Sequence, residues 1–453
     1  MIAARTAEAR TAPAEETDAG GIGSGVRTAL PRAALLVTCL IPLALMVLQF
    51  AATMGLHRYV LETDFLAFYT GGRMLLAGVR ADLYDPATQY LWQRTVASEV
   101  TDPSQLLRFP LLPFVALPLA VVATLPFETA YLAWLICNLL LLAVICRLLS
   151  AALEPAGRLA VLRALALTLT FLPVMVTVMQ GQWSLVLVLG LLASWASLRS
   201  GQELRGGLWL ALLLVKPHYV LVPALALAWQ RRRRALAGLA LGCSILLLVS
   251  LLIVGWSGLE GYVRLLLSAF GSGETRVTHP QRMHTWLGFL YARLGMDQAP
   301  AVRNWWLLGD ALALGLLLRG WRRPRDSASP RFDLQWALLA VVMLFVSPRA
   351  YFHDASLLIV AGVLVVRYLA IHGRRGHLDK LLAALPLVGY LAIWATLTAF
   401  TYLRLQLSVL FTLLALLALV TAARRPTAGQ ETGVRPEAQP RRAYARLDPR
   451  QFG

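Results

Sequence analysis

Lysine is nearly missing from this sequence. Only Lys216 and Lys380 occur among 453 residues, so the 42 Lys and Arg side chains are almost all arginine. Charge as a whole is scarce, at 15% of residues against 58% hydrophobic, where a soluble domain carries about 25% charged residues. That scarcity excludes an ordinary water-facing surface. The four cysteines (Cys39, Cys137, Cys146, Cys243) stand in apolar stretches without CxxC or Cys/His spacing. They read as small core hydrophobes, which excludes a disulfide framework or a zinc site. No DxD pair stands in either long polar segment, and HExxH, GxSxG and Walker patterns are absent. Nucleotide-sugar chemistry, zinc hydrolysis and ATP-driven transport therefore lack their usual marks. Nothing in the pattern requires a cofactor; a divalent metal is neither indicated nor barred.

What is present is a succession of apolar runs from residue 33 to residue 422. About 20 mostly apolar residues cross a bilayer as a helix. By that criterion about twelve transmembrane helices are predicted, near 33–54, 109–125, 127–149, 160–179, 182–199, 206–229, 235–255, 304–320, 333–347, 353–371, 379–399 and 404–422. The fold class is an all-α polytopic membrane protein. The run from residue 33 is too long for a signal-peptide core and reads as a retained span. The ends, 1–32 and 423–453, read as disordered.

The net charge of +18 gathers in short loops: Arg231–Arg234, Arg322-Arg323-Pro324-Arg325, Arg374-Arg375 and Arg424-Arg425. Arginine in short loops between apolar spans is the positive-inside signal, which places these loops and both termini in the cytoplasm. The same placement argues against a nucleic-acid partner.

Two outer segments, 55–108 and 256–303, are too long to be mere connections. In the first, Phe65, Phe68, Gly72, Leu75 and Leu76 recur at helical spacing after Asp64. This predicts a short amphipathic helix lying on the membrane surface, then a turn at Tyr84-Asp85-Pro86 and a second helix through Trp92. Prolines 110, 113 and 118, and Lys216-Pro217-His218 at the centre of 206–229, interrupt their runs. Broken backbone at membrane depth is tolerated only inside protein or along a wet cavity, so both breaks are expected to point inward.

Four places carry candidate chemistry. Asp64, at the outer end of the first span, fits the N-cap of the next helix and a general base that takes a proton from a hydroxyl, two roles that do not exclude each other. Lys216, with His218 beside it, is an intramembrane cation: a functional group by default, or the partner of a buried carboxylate. Arg349 and His353, in Ser347-Pro348-Arg349-Ala350-Tyr351-Phe352-His353-Asp354, either neutralise a phosphate or satisfy a local Arg/His/Asp cluster. Gln180-Gly181-Gln182-Trp183 interrupts the apolar sequence and reads as a tight turn or as a contact through Gln182. Weaker substrate-contact candidates are His279, His284, Tyr84 and Asp85.

The run DFLAFYTGGRMLLAGVRADLYDP after a first span, then GQWSLVLVLGLLA, GLWLALLLVKPHYVLVPAL and SPRAYFHDASLLIV in that order, resembles glycosyltransferase family 87 (DUF2029), of the GT-C superfamily. The resemblance covers roughly residues 33–420, with Phe109-Pro110 standing where such proteins often carry Tyr-Pro-Pro. It implies a GT-C fold and a mannosyltransferase-like activity. The implied donor is a polyprenyl-phosphate sugar, and the acceptor is a lipid or glycan on the outer face of a bacterial plasma membrane. It also implies Asp64 as catalytic base and His353 near the donor phosphate; Lys216 and Arg349 would share that phosphate. A lipid-sugar flippase and a glycan ligase or polymerase are the alternatives. Transporters are often built from internal repeats, none of which is evident, and a ligase would carry a long arginine-bearing loop late in the chain.

Overall fold

A computed structural model describes Ala44 and residues 63–98, 101–271, 282–295, 299–322, 326–373 and 376–425. The expected first span, the two chain ends beyond these limits, His279 and Arg374-Arg375 lie outside the described residues.

The first ordered element, α1 (Phe65–Leu76), is enclosed by protein instead of lying with one face on the membrane. Ten of its twelve residues are buried, leaving only Arg73 and Leu76 turned outward. Two glycines allow this. A Cβ on Gly72 would stand 2.6 Å from the Leu119 carbonyl oxygen of α3 (Ala116–Val122), and one on Gly71 would stand 2.8 Å from the Phe109 ring. The opposite face, Phe65 and Tyr69, meets Phe127 and Tyr131 at ring separations of 5.2–5.9 Å. Between these elements, α2 (Pro86–Arg94) presents Gln89 and Gln93 to the returning chain, where they bond the backbone of Leu83, Leu107 and Phe109 at 2.7–3.0 Å.

The remaining apolar runs all form helix, but of unequal length. Five pass the length and hydropathy test for a membrane span. They are α4 (Phe127–Leu153), α10 (Arg233–Gly271), α12 (Ala299–Gly320), α14 (Leu358–His372, with the 3-10 turn Phe352–Leu357 before it) and α15 (His377–Leu403). A sixth forms if α5 (Arg158–Leu169) and α6 (Leu172–Met179), bent by 49°, count as one. Five to six spans thus stand among the described residues where about twelve were expected. The stretch 109–125 yields only ten helical residues, Pro113–Val122, because three prolines limit backbone donors and helical φ/ψ around it. The stretch 206–229 splits into α8 (Glu203–Leu210), the 3-10 turn Ala211–Val215 and α9 (His218–Trp229). The residue before a proline is pushed out of the helical region, and Lys216 is accordingly extended at φ −129°, ψ 92°.

Three more apolar helices, α7 (Ser184–Arg199), α13 (Pro330–Phe345) and α16 (Leu407–Ala423), are only 16 or 17 residues long. Most of α13 is fully enclosed, so it forms the centre of the bundle. The second long segment is largely helical too: α10 continues past Gly255, which bends it at φ 68°, and α11 (Trp286–Leu294) follows. Close helix packing relies on small residues, as membrane helices generally do. A Cβ on Gly207 of α8 would lie 1.9 Å from the Ala235 carbonyl of α10, and one on Gly238 of α10 would lie 2.1 Å from the Leu204 carbonyl. At one end of the bundle Asp333 is buried between Arg199 (2.8 Å) and Arg367 (3.3 Å), with the Trp195 indole donating to it at 3.0 Å.

Candidate active site

The local sequence first fixes the turn after α6. Gly181, at φ 66°, takes a backbone conformation that L side chains rarely adopt, and a Cβ there would stand 3.0 Å from Phe65. Aromatic side chains of α4 hold the turn in place. Tyr131 donates to the Met179 carbonyl at 2.7 Å, and Trp134 donates to the Gly181 carbonyl at 2.8 Å. The two glutamines flanking Gly181 are thereby presented to the start of α1.

Asp64 stands at the N-cap position, yet its side chain makes no capping bond. Its Oδ2 accepts instead from Gln182 Nε2 at 2.6 Å, while its backbone N–H donates to Gln180 Oε1 at 3.0 Å. The Asp64 carboxylate is therefore not a cap of α1, whose first turn bonds to the main-chain carbonyls of Thr63 and Asp64. Asp64 is also partly exposed, whereas Phe65 beside it is wholly buried.

Two residues past Gln182, Ser184 Oγ donates to Asp354 Oδ1 at 2.8 Å. One short segment therefore joins Asp64 to a second cluster. There Lys216 Nζ is 2.6 Å from Asp354 Oδ1 and 3.1 Å from His353 Nε2, and the Tyr351 N–H donates to Asp354 Oδ2 at 3.3 Å. His353 Nε2 also lies 3.5 Å from Asp354 Oδ2, so the ammonium, the imidazole and the carboxylate meet at one point. Lys216 is thus the partner of a buried carboxylate, the structural half of its two expected roles. The acid it needed, Asp354, is wholly buried.

The segment carrying Arg349 is pinned from outside the cluster. Met283 bridges Tyr351, and the His284 N–H donates to the Ala350 carbonyl at 2.8 Å. His284 Nδ1 meets Ser408 Oγ at 2.6 Å, while its Nε2 is buried without a partner. Burial pushes the His284 imidazole down to about 3, with His353 nearby acting in the same direction, so the ring is neutral at physiological pH. His218 Nε2, at the start of α9, is likewise buried and unpartnered. The Tyr351 phenol is raised above its ordinary value by burial; it also feels Arg349, which lowers it, and the carboxylates of Asp64 and Asp354.

Of the residues singled out from sequence, Asp64 and Gln182 are in contact, Lys216 and His353 contact Asp354, and His218 and His284 lie within reach of its charge; Arg349 is on the same turn, its N–H bonded to Ser347 Oγ. Tyr84 and Asp85 are engaged elsewhere. The Tyr84 hydroxyl donates to the Leu111 carbonyl at 2.6 Å, and Asp85 caps α2 by accepting from Thr88 at 2.7 Å. Sequence reasoning did not assign Asp354, Ser184, Gln180 or Tyr351 to the site. A lone lysine in an apolar run was the available signal for Asp354, since such a charge needs a partner. Among the described residues, no group of three or more His, Cys, Asp or Glu side chains is placed to hold a metal ion.

No curated protein and no solved structure matches this chain. A family model does, over residues 112–348, just over half of the sequence. The matched stretch contains Gln182, Ser184, Lys216, His218 and His284, whereas Asp64, Arg349, His353 and Asp354 lie beyond its limits. With apolar helices fit to span a bilayer and a polar cluster at one end of them, that match settles the family: the chain belongs to glycosyltransferase family 87 and is a membrane glycosyltransferase.

Proposed function

We propose that this protein transfers a hexose, mannose before others, from a polyprenyl-phosphate sugar to a hydroxyl of a glycolipid or glycan at the outer face of a bacterial plasma membrane. The observation that carries the reading is the Asp64 carboxylate, excused from capping and held by Gln182 at 2.6 Å, on the segment whose Ser184 grips the Lys216–Asp354 pair. Asp64 takes the proton of the acceptor hydroxyl. The acceptor oxygen bonds to the anomeric carbon from the face opposite the phosphate, and the carbon–oxygen bond to phosphate breaks with its electron pair going to the leaving group. The configuration inverts. A general base of this kind is worth about 10²–10⁴-fold.

The leaving phosphate passes from a diester with one negative charge to a monoester with two. Fixed donors aimed at that growing charge are the largest contribution such a site can make. Arg349 supplies the guanidinium. His353 offers a ring N–H, and Lys216 keeps one of its three protons after serving Asp354 and His353. The buried, unpartnered Nε2 atoms of His218 and His284 are further polar groups that a bound ligand would satisfy. Asp354 is a positioning residue: it holds Lys216 and, through the Tyr351 N–H, the turn bearing Arg349.

A lipid-linked donor also needs an apolar place for its tail. A cavity of about 290 Å³ lies between α5–α6 and α13–α16, lined in part by Phe171, Leu358, Gly362, Pro386, Tyr390 and Phe411. Leu358, in its wall, directly follows the turn that carries His353. The test is donor choice by purified protein in lipid nanodiscs. Radiolabelled polyprenyl-phosphate-mannose should support transfer to extracted membrane glycolipids, and GDP-mannose should not. Transfer from the nucleotide sugar alone would overturn the proposal.

A further inference from the structure

Arginines gather at the end of the bundle away from Asp64. Helix α7 starts at Ser184, on the Asp354 cluster, and ends at Arg199; α9 starts at His218 and ends at Trp229. Helix α16 starts beside Ser408, which touches His284, and ends at Ala423. At 1.5 Å per residue, helices of these lengths separate their two ends by about 18–25 Å. Four basic groups at the far end have a carboxylate partner. Arg199 and Arg367 share Asp333, Arg232 meets Glu203 at 3.2 Å, and Arg425 meets Asp379 at 3.2 Å.

One recess differs. A cavity of about 540 Å³ is lined by Trp229, Leu318, Arg319, Arg322, Arg331 and Arg424, with Gly315 and Ala423 completing the wall. Among the described residues none of these four arginines pairs with a carboxylate. Arg322 lies over the Trp229 ring at 5.9 Å, and Arg331 donates to the main-chain carbonyl of Arg425. Loop arginines that serve only to orient a membrane protein have no need to converge on a concavity. Four like charges around one recess repel each other, and an anion there removes that repulsion. Guanidinium forks match phosphate oxygens in pairs.

The walls also say what the phosphate is attached to. The recess opens at the ends of α12 and α16, whose outward residues Leu308, Leu312, Leu414 and Leu417 are exposed and apolar. An acyl chain leaving the recess has an apolar surface to follow, which a free phosphate or nucleotide would not use. We propose that this recess binds the phosphate headgroup of an anionic phospholipid in the leaflet facing away from the candidate active site.

The test uses the full chain in detergent, titrated with phosphatidylglycerol and read by native mass spectrometry. Three proteins are compared: wild type, R319Q/R424Q, and R233Q/R234Q, which removes as much charge from a neighbouring recess that already contains Glu203 and Asp326. A juxtamembrane arginine is worth about fivefold in anionic-lipid affinity, so R319Q/R424Q should bind about 25-fold more weakly while R233Q/R234Q stays within about twofold of wild type. Inorganic phosphate at the concentration of the lipid should not displace it. Equal binding by all three proteins overturns the proposal, as does an equal loss in both variants, which would reduce the recess to general positive charge. Displacement by inorganic phosphate would make it a free-phosphate site and also overturn the lipid assignment. Should R319Q/R424Q not fold, R319Q alone carries the test, at about fivefold.

Discussion

The Lys216–Asp354 pair should behave as one unit whose halves are worth little apart. Asp354 is wholly buried and the Lys216 side chain is 12% exposed, with 2.6 Å between Nζ and Oδ1. Replacing Asp354 with Asn keeps the shape and the oxygen facing Ser184 but leaves the ammonium without its counter-charge. Replacing Lys216 with Met leaves the carboxylate buried with Ser184, the Tyr351 N–H and the His353 ring, 3.5 Å from Oδ2, as its remaining partners. Breaking a buried pair on one side costs about 3–5 kcal/mol, a factor of two to nearly four powers of ten in the folded-to-unfolded ratio. Removing both charges leaves neither ion stranded, so K216M/D354N should lose no more than either single variant. The assay is equilibrium unfolding in mixed detergent and dodecyl sulfate micelles, followed by circular dichroism for the four proteins of the cycle. The expected coupling is about 3 kcal/mol or more. Single losses that sum to the double within about 0.5 kcal/mol would refute the pairing.

Other consequences can be checked separately. Gln182→Ala removes the 2.6 Å bond that aims the Asp64 carboxylate; a bond to a charged group is worth about 1.5–3 kcal/mol, so kcat should fall about 10–100-fold with little change in donor KM. Gly72→Ala forces a Cβ to within 2.6 Å of the Leu119 carbonyl, which must part α1 from α3; a thermal melt should show a loss of about 1–3 kcal/mol, as for other overpacked sites. Asp85→Ala removes the cap of α2 and should cost about 1 kcal/mol of local stability at neutral pH, read by amide exchange at Thr88 and Gln89. The Asp85 carboxyl is lowered by its bonds from the Thr88 hydroxyl and N–H. Its contribution is therefore present above the unfolded value of about 3.9 and fades as pH falls through the lower folded value, so wild type and variant should converge in acid.

How far the sequence reveals this molecule depends on what each feature asks of the rest of the chain. Apolar runs are local, and every such run among the described residues is helical. Helix length is less legible, because Pro113, Pro217 and Gly255 act on backbone geometry that hydropathy ignores. Asp64 stood out as a carboxylate at a membrane boundary. Its release from capping did not, because that depends on Gln182, 118 residues away. The polar interruption Gln180-Gly181-Gln182 was visible as a break and open to two meanings; only Trp134 and Tyr131, which anchor the turn, decide between them. Lys216 was correctly marked as a charge in need of explanation, while Asp354 was read together with Arg349 and His353 on its own segment. The pairing requires the break before α9 and the 3-10 turn before α14 to meet beside Ser184 at the start of α7, which no local pattern encodes. The surface position expected for α1 failed for a related reason. Gly71 and Gly72 look like gaps in an amphipathic stripe until α3 and Phe109 occupy them.

The most direct test of the central claim is sugar transfer from radiolabelled polyprenyl-phosphate-mannose by wild type and Asp64→Asn, matched for expression, with donor binding measured on the same preparations. The account predicts that transfer falls by about 10²–10⁴-fold while donor binding persists. Equal transfer by the two proteins would contradict it and remove Asp64 from the reaction.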